Sequence, residues 1–423
     1  MNGPARGDTT IRCRHLLPLH GPAIDGGWIR LRRGCIVAFG GGPPPTDSGV
    51  RTRIDAADAI VMPGLVNAHT HLEFSDVAAP LDAAGGLPAW IGRLVAVRRA
   101  GAAAAGPRVA TAIRAGLAES AAAGVTAVGE IATVVPAAGY PPGGPRLRVF
   151  REALGLSPAA REAAARGALA DVHRLAAHGV AAGLSPHAPY SVAAPLGRAL
   201  IAAATRLRLP VAMHVAESRA EAELLAAGTG PFRRLLEELG AWDPSVPPDL
   251  LPAAEWISRL ARASRGVVVH GTHLDRDPAA LARLARHRDR LCVVVCPRTT
   301  RALSGVLPPV AVFRDAGLRV AIGTDSRAST PDLSVLAECR ELVAAGLVSP
   351  AEALAMATVH GSWALGFDRR AGRLTPGRRA DLVILRPQAP HPDPHAAVLD
   401  PATRVVATLR GGRLIAGALE GLG

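Results

Sequence analysis

The chain has 423 residues, of which 49% are hydrophobic, and a formal net charge of +13. This hydrophobic content is enough for a large core and excludes general disorder, while no apolar run reaches the roughly 18 residues that a membrane helix needs. All 48 basic residues are arginines scattered along the chain, and only 3% of residues are aromatic, so we expect no nucleic-acid partner and no membrane association.

Short β-rich runs alternate with longer helical segments from residue 61 onward, which is the pattern of repeated βα units. Because each crossover helix must cover the outer face of the sheet, eight such strands predict an α/β fold, a closed parallel (β/α)8 TIM barrel. Helices are predicted over residues 108–123, 158–177, 193–206, 278–287, 332–345 and 350–365. The eight predicted strands end near His69, Glu130, Glu152, His187, His214, His270, Cys296 and Asp325.

Both ends of the chain contain further β-like runs separated by Gly/Pro-rich turns. We expect residues 1–60 and 371–423 to form one small β-sandwich, with the barrel domain at residues 61–370 between them. The longest gap between predicted strands, at residues 228–264, is interpreted as an insertion that could overhang the mouth of the barrel.

Histidines stand where four of the predicted strands end. His69 and His71 are two residues apart, so their side chains point to the same face and can reach one metal ion. His214 follows the fifth predicted strand and supplies a third nitrogen. The carboxyl ends of barrel strands meet at one face, where such barrels carry their chemistry, so these imidazoles are expected to converge.

Two acidic residues and a fourth histidine accompany that set. Asp325 ends the eighth strand, where an isolated aspartate could otherwise cap the next helix. Glu217, three residues after His214, is close enough to exchange protons with a substrate, and His270 is suited to orient an attacking water. Together the residues predict a site for one divalent metal ion with a free position for water. Zinc is the expected ion, and Fe(II), Mn and Co remain open.

Cysteine usage and the N-terminal segment bear on the compartment. Five cysteines without CxxC spacing, in a chain of this length, indicate free thiols rather than a disulfide framework or a thiolate zinc site. The first thirty residues contain arginines but no continuous apolar segment, so we expect no secretory signal and a cytoplasmic protein.

The assembled motifs resemble the amidohydrolase superfamily, in its adenosine/cytosine deaminase-like and chlorohydrolase-like branch. The resemblance implies metal ligation by His69, His71, His214 and Asp325, a proton shuttle at Glu217, and a second catalytic histidine at His270 beside Asp325. Dinuclear members bridge their metals with a carbamylated lysine, and a chain without lysine cannot form that bridge. The motifs, in chain order, are PGLVNAHTHLEFS, HAPYS, HVAES, VHGTHL, CPRTTRALSG and GTDSRAS.

Within that branch the chain is most similar to aminodeoxyfutalosine deaminases, which act on a 6-aminopurine nucleoside of the menaquinone pathway. We therefore expect a hydrolytic deaminase that acts on the C–N bond of a cyclic amidine. The residues expected to contact the substrate are His187, Glu73 and Arg298, which belong to these motifs, and Glu152, at the end of the third predicted strand.

Several alternatives remain open at this stage. A deaminase of methylthioadenosine and adenosylhomocysteine, of guanine or of a pterin would present similar ligands, as would a chlorohydrolase. An inactive scaffold would show eroded ligands, which this chain does not. The expected partners are a small-molecule substrate and a second copy of the chain in a homodimer.

Overall fold

The computed structural model describes residues 8–45, 50–100, 105–243, 246 and 249–419. Parts of the predicted terminal segments and of the predicted insertion, namely residues 1–7, 46–49, 244–245, 247–248 and 420–423, therefore lie outside the described residues.

Eight parallel strands form a nearly closed barrel in the order in which they occur along the chain. The end of the first strand meets the segment just after the last strand through backbone contacts, because Thr70 bridges to Asp325 and the Thr324 N–H donates to the His69 carbonyl at 3.0 Å. The predicted TIM-like architecture is confirmed. The barrel strands are β6 (Leu65–Thr70), β7 (Val125–Ala132), β8 (Arg146–Ala153), β9 (Ala181–Pro186), β10 (Val211–Val215), β11 (Gly266–His270), β12 (Leu291–Val295) and β13 (Arg319–Ile322).

Side chains along each barrel strand point alternately into the barrel and outward to the helices, so the hydrophobic core has two layers. In β11, Val267 and Val269 belong to the cluster inside the barrel, while Val268 packs in the cluster between strands and helices. In β12, Cys292 and Val294 likewise belong to the cluster inside the barrel. Both faces of these strands are buried, which is why they read as continuous apolar runs in the sequence.

Helices surround the barrel, and several begin at a side-chain cap. Ser157 caps the Pro158–Ala177 helix, Asp277 caps the Pro278–Arg286 helix, and Ser349 forms a capping box with Glu352. A π-helical turn at Met356–His360 joins the last two helices of the barrel. The helices are α1 (Gly86–Ala100), α2 (Ala105–Ala122), α3 (Pro158–Ala177), α4 (Ala194–Leu207), α5 (Arg219–Ala227), α6 (Pro231–Glu238), α7 (Ala253–Leu260), α8 (Pro278–Arg286), α9 (Pro297–Ser304), α10 (Val310–Asp315), α11 (Val335–Ala344), α12 (Pro350–Ala355), α13 (Gly361–Ala364) and α14 (Pro394–Leu399).

The two ends of the chain form a second sheet with its own hydrophobic cluster. β5 pairs in parallel with β1 and antiparallel with β14, so it joins the N-terminal and C-terminal strands. Residues 61–63, assigned above to the first barrel strand, are the end of β5 in this sheet; the domain boundaries stay a prediction. The strands are β1 (Asp8–Leu16), β2 (Ile24–Asp25), β3 (Gly27–Arg32), β4 (Cys35–Gly41), β5 (Val50–Pro63), β14 (Leu382–Arg386), β15 (Arg404–Arg410) and β16 (Arg413–Gly417).

Two further features agree with the composition. All five cysteines are free, four of them buried. Across the described residues, no helix is long and apolar enough to cross a membrane.

Candidate metal centre and active site

The closure of the barrel positions the first pair of histidines. The Asn67 side chain donates to Thr324 Oγ1 at 2.7 Å and accepts the Thr324 N–H at 3.2 Å, which ties β6 to the segment after β13. Beyond that link, His69 Nε2 lies 3.5 Å and His71 Nε2 lies 3.7 Å from Asp325 Oδ1. The two imidazoles and the carboxylate therefore face one point at the C-terminal end of the barrel.

His214 completes this cluster from β10. Its ring centroid is 4.9 Å from that of His69 and 5.5 Å from that of His71. His214 Nδ1 lies 2.9 Å from the His187 carbonyl oxygen, so Nδ1 carries the proton and Nε2 is left as a ligand. The structure thus brings together the four residues that the sequence analysis assigned to the metal.

The electrostatics of the cluster favour neutral imidazoles. Burial, reinforced by neighbouring histidines, holds the pKa values of His69 and His71 well below the ordinary histidine value. Neutral imidazole is the form that binds a metal ion, so the site needs no proton loss from these rings at neutral pH.

The donor set fits one divalent cation. In the described part of the chain, neither buried ring nitrogen of His69 has a hydrogen-bond partner, which is costly unless another group satisfies it. Candidate ligand atoms of His69, His71 and Asp325 all lie within 4.8 Å of one another. Asp325 is oriented by Ser329, whose Oγ donates to Asp325 Oδ2 at 2.6 Å, a typical outer-sphere contact of a metal-ligating carboxylate.

Glu217 and His270 face each other beside the cluster, with 3.4 Å between Glu217 Oε1 and His270 Nε2. Burial raises the pKa of Glu217 well above the ordinary value, and the charges of Asp325 and Glu221 act in the same direction. Burial likewise lowers the pKa of His270. A protonated carboxyl group beside a neutral imidazole can donate a proton and take it back.

Local backbone conformation holds these groups in place. His270, Asp325 and Ala216 have φ values of +67°, +57° and +54°, in the left-handed region that non-glycine residues seldom adopt. Glu221 accepts the backbone N–H groups of Ala216 and Glu217 at 2.9 and 3.0 Å, which fixes the turn that carries Glu217.

A network of buried and half-buried polar side chains forms the neighbouring wall. Arg98 donates to Glu73 Oε1 at 2.7 Å and to Thr133 Oγ1 at 3.0 Å, and Thr133 donates to Glu152 Oε2 at 2.8 Å. Glu152 Oε1 lies 4.0 Å from His187 Nε2. Burial raises the pKa of Glu73 and lowers that of His187. Three of the predicted substrate residues, Glu73, Glu152 and His187, are therefore brought together next to the histidine cluster.

Arg298 is engaged by two acidic side chains, and the substrate contact expected of it stays a prediction. Its Nε donates to Glu338 Oε1 at 2.7 Å, and its Nη2 donates to Asp332 Oδ1 at 2.8 Å. Burial opposes the charge on Arg298, but Glu338 and Asp332 outweigh it and raise its pKa. The guanidinium thus ties the start of α9 to α11.

Four supporting residues were missed by sequence reasoning: Ser329, Glu221, Arg98 and Thr133. Ser329 stands four residues after Asp325 and Glu221 four residues after Glu217, so a search of the motif neighbourhoods could have flagged both. Arg98 and Thr133 belong to α1 and to the loop after β7, and no local pattern connects them with Glu152.

A cavity of about 400 Å³ opens beside His187. It lies between α1, the loops after β8 and β9, and α6 with the segment that follows it. Tyr190 stacks on Phe232 at its wall, with ring centroids 4.0 Å apart. The lining residues are Ile91, Val95, Leu154, Gly155, Leu156, Ser157, Ala160, His187, Tyr190, Ser191, Phe232, Leu235, Leu236, Leu239, Gly240, Ala241, Trp242 and Asp243.

Comparison with known proteins gives a consistent family. A model described as the amidohydrolase family matches residues 60–415. The 5-methylthioadenosine/S-adenosylhomocysteine deaminase of Halobacterium salinarum is 31% identical over 376 residues, which span 85% of this chain and 80% of the relative.

Solved structures show the same fold. Helicobacter pylori aminofutalosine deaminase in complex with methylthio-coformycin has a TM-score of 0.79 at 23% identity, covering 96% of this chain and 99% of that one. An adenosine deaminase from Xanthomonas campestris with bound zinc has a TM-score of 0.73 at 26% identity, covering 97% and 93% of the two chains.

Proposed function

The chain belongs to the amidohydrolase family, and we propose that it is a metal-dependent deaminase that hydrolyses the exocyclic amine of 6-aminopurine nucleosides. The observation that carries this proposal is the buried Glu217–His270 pair, 3.4 Å apart, beside three converging histidines and Asp325. The substrates named for the relatives, methylthioadenosine and adenosylhomocysteine, support the nucleoside class. Aminodeoxyfutalosine belongs to the same class and remains a candidate.

The metal would be held by His69, His71, His214 and Asp325. When bound, a divalent ion at such a set supplies a water whose pKa is lowered towards neutrality. We propose zinc, because three imidazoles and one carboxylate suit it and the Xanthomonas campestris adenosine deaminase was solved with zinc bound.

Glu217 would carry the proton transfers. Burial raises the pKa of this carboxyl group, which favours the protonated form that can donate to ring nitrogen N1 of the purine and make C6 electrophilic. As water adds to C6, the Glu217 carboxylate accepts one of its protons and passes it to the exocyclic amine, which leaves as ammonia, and the proton of the new C6 hydroxyl returns to Glu217. The nucleoside becomes the 6-oxopurine, and water and ammonia balance the reaction.

His270 and Asp325 would orient the attacking water. The His270 ring centroid is 5.6 Å from that of His69 and 5.4 Å from that of His214, so the imidazole borders the cluster, and one of its nitrogens lies within 4.8 Å of candidate ligand atoms of both histidines. Its neutral form can polarise the oxygen that develops charge during the addition. Asp325 Oδ2 is held by Ser329, which leaves Oδ1 directed at the histidines.

The test is ammonia release by protein reconstituted with zinc. The panel contains adenosine, methylthioadenosine, adenosylhomocysteine, aminodeoxyfutalosine, guanine, a pterin and cytosine. We expect turnover of the adenosine-type compounds, and a His214→Ala variant should lose both metal and turnover. His395→Ala, at a half-buried histidine on α14, is the matched control. Turnover of guanine, the pterin or cytosine without turnover of any adenosine-type compound would refute the nucleoside assignment. If the metal-loaded protein released no ammonia from any compound, deamination itself would be refuted.

A further inference from the structure

The cavity beside His187 continues the site away from the predicted metal ligands. His187 lines the cavity, and its ring centroid is 5.0 Å from that of His214. A purine whose C6 is placed at the histidine cluster directs the rest of the nucleoside outward. With the ribose directed past His187, a substituent at its far end would enter the cavity.

The walls of the cavity are apolar. Ile91 and Val95, one turn apart on α1, line it from one side, and Phe232 and Leu236 of α6 line it from the other. Leu154, at the end of β8, forms part of its rim and is 40% exposed. Its volume of about 400 Å³ is well above the volume of a single methylthio group and can accept longer aliphatic or aromatic substituents.

The charges around the cavity do not favour an anion. Among the described lining residues Asp243 is the one acidic side chain, and none of them is an arginine. Glu152 lies beside His187 at the inner end. The arginines that border the lining are engaged by other groups: Arg98 by Glu73 and Thr133, Arg161 by Asp249 and the Leu156 carbonyl, and Arg233, which stacks on Trp242, by Glu237.

We propose that this cavity binds the 5′ substituent of the nucleoside and selects an uncharged, apolar substituent over one that carries a carboxylate. The inference rests on the deaminase function proposed above and names the substrate class of the same site. Transfer of a thioether tail from water to these aliphatic and aromatic walls is favourable in free energy. A carboxylate would lose its hydration there without a cation to pair with it.

The selection can be measured with two substrates of nearly equal size. The 5′-propylthio and 5′-carboxymethylthio derivatives of 5′-deoxyadenosine differ at the end of the tail by an ethyl group against a carboxylate. We expect the propylthio compound to exceed the carboxymethylthio compound about 100-fold in kcat/KM, since an unpaired charge costs more than an unpaired neutral group. It should exceed adenosine about tenfold, from burial of the tail.

Two matched variants locate the effect. Leu154→Arg places a cation at the rim of the cavity, where it stays partly solvated, and should reduce the 100-fold preference to about tenfold. Leu207→Arg is the control, because Leu207 is similarly exposed at 37% but lies at the end of α4, outside the lining. It should leave the preference unchanged.

The outcomes separate the two proposals. Deamination of adenosine with equal kcat/KM for both thioethers, or with the carboxylate preferred, overturns the tail selection and leaves the deaminase function standing. An equal shift in both variants also overturns it, because the effect would then come from net charge. Zinc-loaded protein that deaminates none of the three nucleosides overturns both.

Discussion

Exchanging Glu217 for glutamine removes the proposed proton carrier while keeping the size of the side chain. The turn that holds residue 217 is fixed by Glu221, which accepts two backbone N–H groups, so the main chain should stay in place. The amide can still lie against His270 at about the distance of 3.4 Å seen for the carboxyl. What is lost is the ability to donate a proton to N1 and to return one to the amine.

The expected magnitude follows from that double role. General acid–base catalysis by one positioned side chain contributes about 100-fold to 10,000-fold. Because Glu217 would serve both transfers, we expect kcat to fall about 1,000-fold, which corresponds to about 4 kcal/mol of transition-state stabilisation. KM should change by less than about threefold, since the lost interaction acts on the transition state.

The assay is a coupled measurement of ammonia release, with zinc content determined on the same samples by mass spectrometry. Glu223→Gln is the control, because Glu223 is an exposed glutamate on α5, the helix that follows the turn of residue 217. It should keep full activity and zinc. A Glu217→Gln variant with one zinc ion per chain and a rate within tenfold of the native protein would refute the proposed mechanism. Loss of zinc in that variant would make Glu217 a ligand instead.

Three further changes test the surroundings of the site. Arg298→Ala should lower the free energy of unfolding by about 3 kcal/mol in denaturant titrations, because it removes the guanidinium that pairs with the buried Glu338 side chain. A raised KM with unchanged stability would instead support the expected substrate contact. Ser329→Ala should weaken zinc binding about tenfold in competition titrations with a chelator, since the hydroxyl orients Asp325, and unchanged affinity would contradict that role. Burial raises the pKa of Glu221 to about 7, so its contribution to stability is full below about pH 4.5 and declines as the pH rises to about 7. Glu221→Gln should therefore flatten the decline of the unfolding free energy over this pH range. An unchanged dependence of the unfolding free energy on pH would show that Glu221 is not the source of the decline.

The sequence by itself determined the barrel and the residues at its mouth. Continuous apolar runs such as that of β12, alternating with helical segments, already require buried parallel strands, because both faces of each strand must be covered. Residues at the ends of such strands meet at one face, so His69, His71, His214 and Asp325 could be grouped before their distances were known. Their roles as metal ligands stay predictions, with a geometry that supports them.

Tertiary structure alone decided how those residues are supported. Arg298 was expected at the substrate, but Glu338, forty positions away in sequence, binds its guanidinium. The chain of contacts from Arg98 through Thr133 to Glu152 joins three separate segments. Periodicity and spacing describe which face of its own element a side chain occupies. They do not indicate which polar group, distant in sequence, a buried side chain will hydrogen-bond in the folded protein, where nearly every buried donor and acceptor has a partner.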